Sequence, residues 1–475
     1  MRRRAFLAHS LRAGVALAAG TAAATMAGCQ AAGRGHTATH AHPAAGGCAP
    51  YPNVPYPDPL HPDAPHPHGV RQLRGTWIGS FKNLDWPSRP GLPASRQQRE
   101  LADLLDMAAR LRLNAVLLQV RPTADALYRS RYEPWSKWLT GVQGEPPGYD
   151  PLAFAIGAAH RRGLELHAWF NPFRVSEQPQ RRRLAAAHPA RRNPGWVVEY
   201  GGELWYDPGN PAVRALALSV IADVARRYDI DGIHLDDYFY PYPFAGQVFH
   251  DEATFRRYGA GFGPRADWRR HNVNLLIAET ATAVRRIRPW ASFGVSPFGI
   301  WRNASTDPAG SRTSGLQAYD DLYADALAWI RGGWLDYIAP QLYWETSNPA
   351  APYAELVRWW SRAVSATATE LYLGQAAYRA QAWRDPGELP RHLALDRIQP
   401  EVSGEVFFHA RSLIIDNLGR RLARTEFELP AYPPVPQRVR HWLAAATSAP
   451  PAGWLHRAAI TRCPDRHFKQ AQGDG

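Results

Sequence analysis

Between residues 71 and 430, short β-rich runs alternate with longer amphipathic runs, and this alternation is the feature that most limits the possible folds. Strands that alternate with helices build parallel β/α architectures, because each helix returns the chain to the start of the next strand. The β-rich runs are Gly75–Ile78, Ala115–Arg121, Leu164–Asn171, Gly232–Tyr238, Ser292–Ser296, Leu335–Trp344, Leu371–Ala376 and Gly404–Ala410. Eight such units predict an α/β fold, a (β/α)8 TIM barrel. The alternative is an open doubly wound sheet, but no glycine-rich phosphate-binding fingerprint follows the first run.

The fourth β-rich run ends in two adjacent carboxylates, Asp236 and Asp237, and aromatic residues follow at once. In a TIM barrel the active site lies where the carboxyl ends of the strands meet. Acids at that place can move protons and stabilise positive charge, and aromatic rings can stack on pyranose faces, so the pattern predicts cleavage of a sugar. Neighbouring residues of a strand point to opposite sides, so both acids enter the site only if the strand ends between them. The alternative for one of them is a helix cap or loop hydrogen bond.

The ends of the other runs supply further candidates. Glu345, just beyond the sixth run, is a possible catalytic carboxylate or a solvated loop acid. The candidate substrate-binding residues can stack or donate hydrogen bonds, although each tryptophan can equally be a packing residue. They are Trp77, Arg121, Trp169, Asn171, Tyr238, Tyr343, Trp344, His409 and Arg411, with Trp301, Ser296, Gln341 and Gln375 beside them.

Two histidines, His167 and His234, lie inside predicted strands and are expected to be hydrogen-bonded barrel residues. The sequence contains no His-x-His or His-Glu-x-x-His spacing, so we expect neither a metal nor another cofactor.

The amino terminus has the features of an export signal. A twin arginine, Arg2-Arg3, precedes an Ala-rich stretch that ends in Met26-Ala27-Gly28-Cys29, which resembles a bacterial lipobox. We therefore expect a lipid on Cys29; the alternative is a simple secretory signal with a free cysteine. Gln30 is not the Asp that retains lipoproteins at the inner membrane, so we expect a lipid anchor in the outer membrane, facing the periplasm. The expected segments are a signal peptide (1–28), a disordered Pro/His/Ala-rich tether (29–70), the barrel (71–430) and an irregular Pro-rich tail that wraps the barrel or trails free (431–475).

The chain has a formal net charge of +13, of which only four positive charges lie in the first 28 residues. Such a balance can indicate nucleic-acid binding. Export argues against that partner, and a polyanion of the cell envelope is the better candidate. Cys48 and Cys463 flank the barrel and are a candidate pair for a disulfide in an oxidising compartment; the alternative is two free thiols.

Several motifs together resemble the glycosyl-hydrolase-like ten family of bacterial envelope proteins. The matching segments are Arg74–Trp77, Leu118–Arg121, His167–Pro172, Asp231–Tyr238 and Ala339–Trp344. The resemblance implies a (β/α)8 barrel with glycosidase activity, and for some members cleavage of peptidoglycan glycan strands that have lost their peptides. Each muramic acid unit of such a strand bears a free lactyl carboxylate, which an arginine can bind by charge-assisted hydrogen bonds. The alternatives are a non-catalytic peptidoglycan-binding lipoprotein and a hydrolase of another polysaccharide.

The acidic pair also resembles that of retaining hexosaminidases and chitinases, which implies a substrate-assisted mechanism. In that mechanism Asp237 protonates the leaving oxygen, Asp236 orients the acetamido group of the substrate, and Tyr343 contacts that group. The chain departs from the chitinase motif at Tyr238, where the motif has its catalytic Glu. The rival is a two-carboxylate mechanism with Glu345 as the second acid.

Overall fold

The computed structural model describes residues 70–383 and 385–440, without the side chain of Asp416. The predicted signal peptide, the tether up to residue 69 and the three cysteines Cys29, Cys48 and Cys463 lie outside the described residues. None of the helices in the described part is long and apolar enough to cross a membrane.

Eight parallel strands close into a barrel, in which each strand pairs with the next in the chain and the last pairs with the first. The prediction of a TIM barrel is thereby confirmed. The strands are β1 (Leu73–Ile78), β2 (Ala115–Arg121), β3 (Glu165–Phe170), β4 (Gly232–Leu235), β5 (Ser292–Val295), β6 (Tyr337–Ile338), β7 (Glu370–Gln375) and β8 (Val402–Phe407). The sixth strand is much shorter than the predicted run, because Pro340 has no N–H to donate to a neighbouring strand.

One principal helix follows each strand on the outside of the barrel. These helices are α1 (Ala94–Arg110), α2 (Pro151–His160), α3 (Pro211–Arg227), α4 (Arg265–Ile287), α5 (Ala326–Arg331), α6 (Tyr353–Val364), α7 (Glu388–Arg397) and α8 (Leu418–Thr425). Local sequence explains where two of them begin. The Asp150 and Asn210 side chains accept hydrogen bonds from the first turns of α2 and α3, and a proline, which needs no hydrogen-bond partner there, occupies the first helical position of each.

The barrel interior needs glycine at two positions because large rings fill it. A Cβ on Gly232 of β4 would lie 2.6 Å from the His167 ring, and a Cβ on Gly294 of β5 would lie 2.2 Å from the Tyr337 ring. Both distances are far below van der Waals contact. The two glycines therefore make room for a buried polar layer beneath the carboxyl ends of the strands.

A small antiparallel sheet is inserted between β3 and α3. It consists of Arg174–Ser176, Glu203–Tyr206 and Val197–Tyr200, with Glu203–Tyr206 in the centre. The last two strands form a hairpin through Gly201 and Gly202, whose φ angles of 64° and 77° suit glycine at a two-residue turn. This sheet lies at the carboxyl end of β3 and contributes side chains to the mouth of the barrel.

The segment after α8 crosses the opposite end of the barrel. Ala431–Tyr432 pairs in parallel with Val70–Arg71, and the Arg438 guanidinium donates to both oxygens of Asp336, just before β6. The first ten residues of the predicted tail, 431–440, thus pack along the barrel, and the remainder of that tail lies outside the described residues.

Candidate active site

Asp236 lies just after β4 and is almost completely buried at the mouth of the barrel. Its Oδ2 accepts hydrogen bonds from Trp169 Nε1 and Asn171 Nδ2, both at 3.1 Å, and its Oδ1 accepts from the Tyr238 backbone N–H. Burial and the neighbouring charge of Asp237 raise the pKa of Asp236 to about 7. This carboxyl group can therefore gain or lose a proton near neutral pH.

Asp237 is also buried, but its partners come from other elements. The Tyr242 hydroxyl donates to its Oδ2, and the Gln341 amide donates to the same carboxylate. Burial raises the pKa of Asp237 above its ordinary value. The strand β4 ends at Leu235, before both acids, so the rule that neighbouring strand residues point to opposite sides does not apply to them. Both acids can therefore have partners at the mouth.

A buried chain of hydrogen bonds lies beneath the acids. Trp77 Nε1 donates to His234 Nε2 at 3.1 Å, and since an indole N–H can only donate, His234 carries its proton on Nδ1. The His234 Nδ1–H therefore faces the Tyr337 hydroxyl, which also contacts His167 Nδ1. Burial holds the pKa of His234 well below its ordinary value, so this ring is neutral. Both histidines are hydrogen-bonded barrel residues.

Trp77 is a core residue of the barrel, only 2% exposed, and the prediction that it stacks on a sugar is wrong.

Arg121 does not present its charge to the mouth. Its guanidinium forms a bidentate pair with Glu133, with Nε–Oε2 at 2.8 Å and Nη2–Oε1 at 2.5 Å, and it also donates to the carbonyl groups of Asn171 and Pro172. The residue is 1% exposed. Its charge is neutralised by Glu133, so Arg121 fixes the loop after β3 instead of binding a substrate.

Arg174, which sequence reasoning missed, is the arginine beside the two acids. Its Cζ lies 4.2 Å from the Tyr238 ring centroid, 4.6 Å from that of Phe81 and 5.2 Å from that of Trp205. The Trp205 ring also stacks on Tyr238. The Val-Val-Glu-Tyr-Gly-Gly-Glu-Leu-Trp-Tyr pattern of residues 197–206 predicts a hairpin, and that signal could have placed Trp205 at the mouth.

Further aromatic rings continue around the mouth. Tyr242 meets Phe298 edge to face, and Phe298 meets Trp344 in the same way. Tyr343 stacks on Phe408 and lies close enough to Asp237 to interact electrostatically with that carboxylate. Tyr343 and Trp344 are partly exposed and can reach a ligand. Trp301, in contrast, is buried against Trp359 and is a packing residue.

The predicted residues at the end of β8 belong to a structural cluster. His409 Nδ1 lies 2.6 Å from Asp85 Oδ1, which also accepts the Arg411 backbone N–H at 2.8 Å. The Arg411 side chain lines a groove of about 930 Å³ between α1 and α8. Glu345 is partly exposed, and no described hydrogen bond joins it to either aspartate. Gln375 is fully buried against Tyr353 and Asp396.

The structure thus brings Asp236, Asp237, Trp169, Asn171, Tyr238 and Tyr343 together at one mouth. In residues 70–440, no group of three His, Cys, Asp or Glu side chains is arranged to hold a metal ion. Two acids with raised pKa values, surrounded by aromatic rings, are suited to protonating a leaving oxygen and to stabilising a positively charged transition state.

Comparison with known proteins agrees with this chemistry. The model of the family described as glycosyl hydrolase-like 10 matches residues 72–385. The chain belongs to this family. Members similar to it include Glycosyl hydrolase YngK of Bacillus subtilis, 47% identical over 74% of this chain and 70% of that protein. Glycosyl hydrolase DigH of Escherichia coli is 41% identical over 71% of this chain and 82% of that protein.

A solved structure supports the fold of this family member independently. The catalytic domain of a β-amylase from Paenibacillus polymyxa superposes with a TM-score of 0.50 at 11% identity, over 76% of this chain and 99% of that domain. Family membership together with the barrel makes the chain a glycoside hydrolase. The predictions of family, fold and enzyme class are confirmed.

Proposed function

We propose that the enzyme hydrolyses peptidoglycan glycan strands from which the peptides have been removed. The observation that carries the proposal is the buried pair Asp236 and Asp237 at the end of β4, beside one arginine in an aromatic box. The acids supply the chemistry of glycosidic cleavage, and the arginine suits a polymer that carries carboxylates. The name Glycosyl hydrolase, shared by YngK and DigH, agrees with the reaction type.

We propose that the mechanism is substrate-assisted. Asp237 donates its proton to the glycosidic oxygen as the bond to the anomeric carbon breaks. The acetamido oxygen of the same sugar attacks that carbon, and Asp236 holds the acetamido N–H while positive charge develops. Water then opens the cyclic intermediate and returns a proton to Asp237. Burial raises the pKa of both acids, that of Asp236 to about 7, so the buried pair can hold the proton that the first step needs.

The rival mechanism requires Glu345 to act as a nucleophile or base next to the aspartates. Glu345 is partly exposed on the loop after β6, and the partners described for the two aspartates do not include it. Trp169, Asn171, Tyr242 and Gln341 hold the pair instead. These contacts support a mechanism that uses the two adjacent acids without Glu345.

Digestion of peptide-free glycan strands, with fragments identified by mass spectrometry, tests both proposals. The wild-type enzyme should release disaccharide-based fragments, and Asp237→Asn should be slower by about 10²- to 10⁴-fold, the usual contribution of a general acid. Glu345→Gln is the matched control and should keep activity within about threefold. Binding of the strands without any wild-type cleavage would favour the non-catalytic binding module. A substrate that lacks the 2-acetamido group but is cleaved equally fast would exclude substrate assistance.

We also propose that the enzyme acts from a lipid anchor on Cys29 in the outer membrane, facing the periplasm. The support is the Met26–Cys29 sequence after a twin arginine, together with a substrate that is part of the cell envelope. Metabolic labelling with an alkyne fatty acid should mark the wild-type protein and leave Cys29→Ala unlabelled and released from membranes. Equal labelling of both proteins would refute the anchor.

A further inference from the structure

Arg174 occupies a box of three aromatic rings, Phe81, Trp205 and Tyr238, which we call the Arg174 box. The residue is 6% exposed, whereas Phe81 and Tyr238 are partly exposed at the mouth. Tyr238 directly follows the two aspartates in the chain. The box is therefore next to the place where the scissile bond must lie.

The guanidinium of Arg174 is not neutralised in the way that Arg121 is. Its buried Nε lies 3.5 Å from Glu203 Oε2, a looser ion pair, and has no hydrogen-bond partner among the described residues. Arg121, in contrast, has a bidentate carboxylate at 2.5–2.8 Å. A buried donor without a partner costs free energy, so Arg174 retains a capacity to bind an additional oxygen ligand.

The rings of the box also favour an anionic ligand over further internal pairing. Aromatic faces stabilise a guanidinium by cation–π contact, and of the three residues only Tyr238 has an oxygen that interacts with Arg174. The N–H donors of a guanidinium lie in its plane, in a fork that matches the two oxygens of a carboxylate. A carboxylate on a bound sugar is the ligand that completes this arrangement.

The box is fixed relative to the acids by one shared residue. The Arg174 backbone N–H donates to Asn171 Oδ1 at 2.8 Å, and Asn171 Nδ2 donates to Asp236 at 3.1 Å. Trp205 pairs opposite Arg174 in the inserted sheet. A carboxylate held by Arg174 would therefore sit at a defined distance from the catalytic pair, which is what recognition of one sugar in a chain requires.

Aromatic surface continues from the box along the mouth. Phe81 meets Trp138 edge to face with 5.7 Å between ring centroids, and Lys137 Nζ lies 4.8 Å from the Trp138 ring. All three residues are partly exposed. This surface offers stacking for further sugars of a long chain on the side of Arg174.

We propose that Arg174 is the specificity-determining residue of the enzyme and binds a carboxylate on a sugar next to the scissile bond, so that the substrate is an acidic polysaccharide. The inference rests on the proposed function and adds the residue that reads the free lactyl group of muramic acid. A strand whose carboxyl is capped by a peptide or an amide lacks the charge that this subsite binds.

Two forms of the same polymer test the inference: peptide-free glycan strands, and the same strands after their lactyl carboxylates are converted to methylamides. Wild-type kcat/KM should be at least about tenfold higher on the acidic form, the amount expected of a charge-assisted hydrogen bond. Arg174→Gln should lose about 10- to 100-fold on acidic strands and less than about threefold on amidated ones. Arg174→Lys should recover part of the preference, because it keeps the charge without the fork.

Arg379→Gln is the matched control. Arg379 contacts the aromatic ring of Tyr378 and lies at the same mouth as Arg174, but on the other side of that mouth. It should leave the ratio between the two polymers unchanged within about twofold, because its charge lies outside the Arg174 box. A loss of equal size on both polymers in Arg174→Gln, or no loss, would overturn the inference.

Binding of both polymers to Asp237→Asn, with and without Arg174→Gln, separates the subsite from catalysis. Tighter binding of acidic strands that disappears with Arg174→Gln supports the subsite even if no variant cleaves a strand, an outcome that would reject the proposed function alone. Equal affinity for acidic and amidated strands would reject the subsite even if the wild-type enzyme cleaves both.

Discussion

Replacing Asp236 by Asn should change the pH dependence of stability in a direction that the buried site dictates. The pKa of Asp236 is raised from an ordinary 3.8 to about 7 in the folded protein. Between these values the folded state keeps a proton that the unfolded chain has lost, so the contribution of Asp236 to wild-type stability falls as pH rises from 3.8 towards 7. The loss is complete above pH 7 and amounts to about 4 kcal/mol, because one pKa unit corresponds to about 1.4 kcal/mol.

The Asn variant lacks this titration, but the substitution lowers the free energy of unfolding by an amount that does not change with pH. All three hydrogen bonds described for the Asp236 carboxylate come from N–H donors, and an amide nitrogen at either oxygen position would face one of them. Such a mismatch costs about 1–3 kcal/mol at any pH. Asp236→Asn should therefore be less stable than the wild-type protein at pH 4 and more stable at pH 8, with the two curves crossing between about pH 4.5 and 6.

Urea denaturation of both proteins at pH 4, 6 and 8, followed by tryptophan fluorescence, measures the effect. The m-values must agree between the two proteins, so that midpoints report stability alone. Glu345→Gln is the control at the same mouth, and its stability difference should change by less than about 0.5 kcal/mol over this range. A difference between Asp236→Asn and wild type that is constant with pH, or that moves in the opposite direction, would refute the assignment of a raised pKa to burial.

Three other substitutions test separate parts of the structure. Glu133→Ala should destabilise the fold by about 3–5 kcal/mol in urea, because it leaves the Arg121 guanidinium buried without its counter-ion. Tyr242→Phe should move the pKa of Asp237 further upward in the pH profile of kcat/KM, because the carboxylate loses the hydroxyl that donates to it. Gly294→Ala should destabilise the barrel by at least about 2 kcal/mol in thermal unfolding, because its methyl group would overlap a buried tyrosine ring.

Each of these has its own control. The exposed pair Arg96–Glu100 is the comparison for the buried one, and Arg96→Ala should cost no more than about 0.5 kcal/mol. Tyr132→Phe removes an exposed hydroxyl away from the acids and should leave the pH profile unmoved. Gly148→Ala adds a methyl group into open space, so any loss of stability in this variant comes from the positive φ angle of the residue alone. Equal effects in a test variant and its control would show that the proposed contact is not the cause.

Much of the fold follows from periodicity alone. Buried strands alternating with helices identify β2 and β7 within a residue or two, and prolines with capping side chains mark the starts of α2 and α3. The sequence also places Asp236 and Asp237 at the carboxyl end of a strand, which in this architecture is the mouth. Those signals are local, so they survive without knowledge of any distant neighbour.

The sequence by itself determined the barrel and the position of the acidic pair, because hydrophobic spacing and strand ends are written in consecutive residues. Only the tertiary structure decided which of the nearby polar and aromatic groups remain free for a ligand. Arg121 ends β2 and Arg174 follows β3, yet one forms a close bidentate pair with Glu133 and the other lies among three rings, 3.5 Å from Glu203. Trp77 and Trp169 differ in the same way, since one donates to His234 in the core and the other to Asp236 at the mouth. Whether a charge is compensated or a ring is covered depends on side chains that only folding brings together, and no spacing along the chain records it.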